Sequence, residues 1–115
     1  MEQAVSKLVS YSVMLPASDI FFAEDDQSMT VSVRHLGVVQ PIATVTREVG
    51  RKFVAHVKAL AAMDVAEKRR PQDGRWLFKG EDGQLIDLRV NMIPTTHGED
   101  LALRLLTRNS KLFKI

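Results

Sequence analysis

Near the start of the chain, apolar residues recur at spacings of three and four: Ala4, Val5, Leu8, Val9 and Val13, separated by Glu2, Gln3, Lys7 and Ser10. This is the stripe of an amphipathic helix, and Pro16 ends it. The period then changes. Ser18–Ala23 is a short apolar run with two aromatics, and Met29–Arg34 alternates strictly, with Met29, Val31 and Val33 on one side and Thr30, Ser32 and Arg34 on the other. Both read as strands, joined through the acidic stretch Glu24–Ser28 as a hairpin loop. Gly37 introduces a tight turn into a third short strand at Val38 and Val39, which Pro41 is expected to stop.

From Thr46 the helical period returns. Val49, Phe53, Val54, Val57, Leu60 and Ala61 line one face, and Arg47, Glu48, Arg51, Lys52 and Lys58 the other. Charge concentrates over Asp64–Arg75 around Pro71 and Gly74, and the pattern then predicts strands at Trp76–Lys79, Gln84–Met92 and Leu101–Leu106, with Gly80–Gly83 as an Asp-Gly hairpin turn. In the last two strands one face is apolar and the other carries arginines. The fold class is therefore α+β: an antiparallel sheet of about five or six strands with helices packed on its apolar face.

A length of 115 residues suits one domain, taken as residues 1–115, and an apolar fraction of 45% against 26% charged is ordinary for a globular chain. The absence of cysteine excludes disulfides, thiolate catalysis and cysteine-ligated zinc. Sixteen basic against fourteen acidic residues leave a net charge of +2, which does not call for nucleic acid. No apolar run approaches the roughly 18 residues of a membrane span, and Met1–Ser10 lacks the charged and apolar regions of a secretory signal, so a cytoplasmic protein is expected. Ser110–Ile115 reads either as a natural tail or as the start of a linker.

The sequence carries no GxxxxGK(S/T) loop, GxGxxG fingerprint, GxSxG elbow or HExxH pair, so catalysis by this chain alone is not expected, and no catalytic residue is assigned. His35, His56 and His97 lie far apart. His97-Gly98-Glu99-Asp100 has metal-binding residue types, but neighbouring polar residues at a loop-to-strand junction ordinarily make turn hydrogen bonds, and no metal site is assigned. The most distinctive segment is Ala66–Arg75, AEKRRPQDGR, where a Pro-Gln-Asp-Gly turn with positive φ at Gly74 would deliver Arg75 to the start of a strand. Arg75, Arg89 and Arg104, leaving nearby strands, form a candidate anion site, because a guanidinium fork takes phosphate oxygens in pairs. The alternative, a solvated sheet face with local ion pairs to Asp73, Asp87 or Glu99, is equally compatible with the spacing.

Three strings, ASDIFFAE at Ala17–Glu24, AAMDVAEKRRPQDGRW at Ala61–Trp76 and IDLRVNMIPTTHGEDLALRLL at Ile86–Leu106, together resemble one family. It is that of the type II secretion and type IV pilus traffic ATPases, the GspE, PilB and PilT superfamily, and the resemblance is to their second N-terminal domain, from about Ala4 to Asn109. It implies a PAS-like fold preceding a RecA-like motor that carries the Walker motifs, binds ATP with magnesium and forms a hexamer. It further implies arginines reaching the nucleotide phosphates held by the motor of the same or a neighbouring subunit. The PQDGR arginine falls on Arg75, the DLRV arginine on Arg89 and the LRLL arginine on Arg104; the first two are the preferred phosphate sensors, and Arg104 also suits a structural role. The chain departs from the family at Phe21, usually histidine, and at Arg34-His35-Leu36-Gly37, usually an R-x-D-G turn.

The implied function is a regulatory and coupling domain of a secretion or pilus ATPase. Its implied partners are the motor and the inner-membrane secretion or pilus platform, at the cytoplasmic periphery of the inner membrane, with neither nucleic-acid binding nor membrane insertion. The competing reading is a stand-alone PAS-like adaptor that binds a small ligand or a protein and has no ATPase role.

Overall fold

The computed structural model describes residues 1–107, so Ser110–Ile115 lies outside the described residues. Two helices and six strands follow in the order α1 (Glu2–Met14), β1 (Asp19–Glu24), β2 (Ser28–His35), β3 (Val38–Thr46), α2 (Arg47–Leu60), β4 (Gln72–Lys79), β5 (Leu85–Pro94) and β6 (Glu99–Thr107). The strands form one antiparallel sheet in the order β3-β2-β1-β6-β5-β4, so the β1–β6 pairing, between the first and last strands of the chain, joins two three-stranded meanders. Both helices pack on one face. This is the α+β architecture that the change of period predicts.

The covered face is the core. Ile20 and Phe22 of β1, Met29, Val31 and Val33 of β2, Leu88, Val90 and Met92 of β5, and Leu101 and Leu103 of β6 are all buried. They alternate with residues on the opposite face, as the pleat requires. From the helices, Val5 and Val9 of α1 and Phe53, Val54 and Val57 of α2 close this layer. Ser12 of α1 is also buried, and its hydroxyl donates to the Leu8 carbonyl at 2.9 Å, which satisfies it inside the apolar stripe.

Four local expectations are corrected. First, β3 runs through Pro41 to Thr46. It is an edge strand, and its register against β2 shifts between Val31 and Ser32, so the proline sits at a bulge where its missing N–H breaks little. Second, the buried stripe of α2 is rotated relative to the one read from apolar residues. Gly50 and Lys58 are inside, whereas Val49 and Leu60 are 37% and 38% exposed. Gly50 belongs there because a Cβ would lie 2.7 Å from both Cβ and Sδ of Met29.

Third, Pro-Gln-Asp-Gly is not a turn: β4 begins at Gln72, four residues before the predicted start at Trp76. Gly74 lies in the strand without a positive φ, and its missing side chain serves close packing instead, since a Cβ would lie 2.6 Å from the Ala61 carbonyl oxygen. Fourth, Lys58, placed by the pattern on the polar face, is wholly buried. Its ammonium donates to the carbonyls of Val65 at 3.3 Å and Glu67 at 2.7 Å, and to Glu99 Oε2 at 2.6 Å. Those bonds let a charge sit in the interior.

The helix ends follow local chemistry. Thr46 caps α2 by accepting from the Val49 amide at 3.2 Å. At the other end Met63 donates to the Lys58 carbonyl and Ala62 to that of Ala59, the Schellman pairing, with Ala62 at φ 59° where glycine is usual. The β2–β3 hairpin turns on Leu36 and Gly37, both at positive φ, as a two-residue primed turn requires. The β4–β5 connection closes through Gly80 and Gly83, as the Asp-Gly signal indicates.

Candidate functional site

The uncovered face of the sheet carries the charge. Register across β4, β5, β6, β1 and β2 sets Arg75 opposite Arg89, Arg89 opposite Arg104, Arg104 opposite Asp19, and Asp19 opposite Arg34. Five side chains from five strands thus form one transverse row. All three arginines singled out from the sequence stand in it, next to one another. The tertiary structure adds Arg34 and Asp19, which sequence spacing did not connect to them. Their only sequence signal was Arg34 on the polar side of an alternating run and Asp19 at the head of β1.

Like charges directly opposite across a sheet are destabilising, so three neighbouring arginines do not serve the stability of these strands. Two carboxylates restrain them. Asp87 receives a paired grip from Arg75, Nε to Oδ1 and Nη2 to Oδ2 both at 2.9 Å, and lies 3.9 Å from Arg89 Nε. Asp19 accepts from Arg104 Nε at 3.2 Å, lies 3.8 Å from Arg34 Nη1 and accepts the Ser18 hydroxyl at 2.7 Å. The side chains of Asp19 and Asp87 are 7% and 8% exposed, while those of Arg89 and Arg104 are 56% and 60% exposed. The acids are set down in the sheet and the guanidinium groups reach out. The hydrogen bond and charge of Asp87 raise the pKa of Arg75 further, so its guanidinium stays charged. Of the ion pairs foreseen as the alternative, the one to Asp87 forms, whereas Glu99 is taken by Lys58.

Arg34, Asp19, Arg104 and Arg89 of the row, with Phe21, Ala102 and Asn91 two residues along the same strands, line an open basin of about 370 Å³. Ala102 sits opposite Phe21 in register, and its small side chain leaves the depression. Arg34 lies over the Phe21 ring at 5.4 Å, so this aromatic residue supports a guanidinium. Arg75 stands in the row but not among the residues around the basin.

The remaining sequence candidates serve the scaffold. The turn before β6 is closed by Thr95, which donates its amide to the Gly98 carbonyl at 2.8 Å and accepts the Gly98 amide at its hydroxyl. Arg47 reaches from α2 to the His97 carbonyl at 3.0 Å and, with Arg51, holds the buried Glu24. Asp100 accepts the Glu24 amide, and its burial raises its carboxyl pKa while that hydrogen bond opposes the rise. Within PQDGR, the Gln72 side chain ties down the preceding loop, accepting the Asp64 amide at 2.8 Å and donating to the carbonyls of Asp64 and Glu67. His56 is half-buried, and its Nε2 has no hydrogen-bond partner among the described residues.

No helix among the described residues is long and apolar enough to cross a membrane. The family described as Type II/IV secretion system protein matches residues 1–115. A type IV pilus assembly ATPase PilB of Acinetobacter baylyi is 36% identical over 111 residues, covering 96% of this chain and 19% of its own length. The type II secretion system ATPase E of Vibrio cholerae is 32% identical over 106 residues, covering 92% of the chain and 21% of its own length. A type II secretion system protein E of Dickeya dadantii is 34% identical over the same number of residues. The chain spans about a fifth of the length of these relatives. Matched over its whole length, the chain belongs to the type II/IV secretion system protein family.

Proposed function

We propose that this chain is a PAS-like regulatory and coupling domain of a type II secretion or type IV pilus ATPase. Its arginine row meets the phosphates of ATP held by an adjoining RecA-like motor. The observation that carries the reading is the row itself: Arg75, Arg89 and Arg104 aligned on the sheet face that the chain's own helices leave open. Guanidinium groups on an open face suit phosphate oxygens. The carboxylates in and beside the row, Asp19 and Asp87, are engaged by arginines, so it does not suit magnesium, which would stay with the motor.

Bound nucleotide supplies a concentrated negative charge. Arg89 and Arg104 gain contact energy only in the domain arrangement that brings that charge to the sheet, and this difference biases one arrangement over another. The setting that fits is a hexameric ATPase at the cytoplasmic side of the inner membrane, working on a secretion or pilus platform.

The test is a chimera in which this chain replaces its matching segment in the Acinetobacter baylyi relative. Arg89→Ala and Arg75→Ala are expected to lower ATP turnover by roughly tenfold, the scale of one lost charge-assisted contact. The same substitutions should leave the circular dichroism of the chain alone unchanged. Wild-type turnover in both variants overturns the reading.

A further inference from the structure

The buried carboxylates in and beside the row, Asp19 and Asp87, are each shared between two arginines, nearer one than the other. Asp19 is bonded to Arg104 at 3.2 Å and has Arg34 at 3.8 Å on the next strand; Asp87 is bonded to Arg75 at 2.9 Å and has Arg89 at 3.9 Å. An anion entering the basin meets Arg89 as its loosely held donor. Arg104 is a different matter, because its Nε–H already points at Asp19.

From this arrangement we infer that Asp19 is a built-in competitor that makes the basin select polyphosphate over singly phosphorylated or carboxylate anions. This rests on the reading that the row meets phosphate, and assigns its specificity. To grip Arg104 side-on, through Nε and an Nη together, an anion must displace a carboxylate, because the Nε–H is given to Asp19. The displaced Asp19 is not stranded in the sheet, because Arg34 faces it across the strand pair and Ser18 still donates to it. Exchange therefore costs the difference between two ion pairs and not the cost of an unpaired buried charge. An anion with one phosphate offers little more charge than the carboxylate it replaces, whereas a chain of phosphates offers several and spans Arg89 and Arg104 together. Asp87 acts in the same sense from the other side, locking the Arg75 fork and drawing on Arg89.

The experiment is calorimetric titration of the full chain with orthophosphate, pyrophosphate and tripolyphosphate at low salt, where exposed charges are least screened. The wild type should bind tripolyphosphate most tightly. Asp19→Asn should tighten orthophosphate by roughly three- to tenfold, the scale of one partly exposed ion pair, and so flatten the preference. Asp87→Asn should act in the same direction, and Arg89→Ala should weaken all three anions.

In the unsubstituted chain, the Arg104 Nε resonance should move during the tripolyphosphate titration together with that of Arg89. This measurement stands even if Asp19→Asn does not fold. If Arg89→Ala weakens binding but Asp19→Asn leaves the preference unchanged, or Arg104 stays still, the competitor role is overturned while the arginine reading survives. If no anion binds, or Arg89→Ala has no effect, both fall.

Discussion

The two faces of the sheet are made by the same strands and obey different physics. On the covered face Leu103 lies between Ile20 and Val90, 1% exposed and sealed from water; one residue along, Arg104 lies between Asp19 and Arg89, most of its side chain in solvent. Burial of apolar surface holds the first face, and its ions, Lys58 and Glu24, are tolerated only because every charge there is bonded. The second face has no helix over it among the described residues. Its charges repel along one row and are balanced by two sunken acids. One face specifies the fold, and the other is left for an anion or a neighbour.

The sharpest break comes from the covered side. Lys58→Ala should cost about 3–5 kcal/mol in urea denaturation, because Glu99 and two carbonyls lose their partner in the interior. Leu103→Ala should cost about 2–5 kcal/mol from lost burial and the cavity left behind. Its neighbour on the other face, Arg104→Ala, should cost less than about 1 kcal/mol, because the arginine is largely in solvent and Asp19 keeps Arg34 and the Ser18 hydroxyl as partners. Equal losses for the two neighbours would erase the distinction between the faces.

At the end of α2, Ala62→Gly should stabilise by roughly 0.5–1 kcal/mol, since an L side chain at φ 59° is strained where glycine is not. A lower melting temperature would contradict that.

The smallest effect is at the β1–β2 hairpin, where Asp25 Oδ1 accepts the amides of Gln27 and Ser28, both at 2.8 Å. Those bonds hold its carboxyl below the ordinary carboxylate value. A carboxyl with a lowered folded-state pKa contributes stability above its unfolded value, and that contribution is lost as pH falls through the folded value. The loss falls below about pH 4. Asp25→Asn keeps the acceptor and removes the titration, so its acid-side stability curve should be flatter than the wild type. Superimposable curves would refute the assignment.

What was legible in the chain was local. The change from a spacing of three and four to alternation placed both helices and all six strands, because side-chain direction in a helix or strand repeats with a fixed period. It also put Arg89 and Arg104 on the polar side of their strands, and left Arg75 at the head of the strand it in fact stands within. Where it failed, a nonlocal contact decided. The stripe of α2 misplaced Lys58 because Glu99, 41 residues away, supplies the carboxylate that makes burial tolerable. The PQDG turn was misread because Gly74 is needed for the close passage of Ala61 and not for a bend.

By itself, then, the sequence determined the fold class, the family and the side of the sheet on which Arg34, Arg89 and Arg104 stand, since periodicity and motif strings are written along the chain. Only the tertiary structure decided that three arginines share one row, that Arg34 joins two of them at a basin, and that Asp19, 85 residues from Arg104, is the acid between them. Strand order and register bring these groups together, and both are set by which apolar faces bury one another, a matter of distance through space that no interval along the chain records.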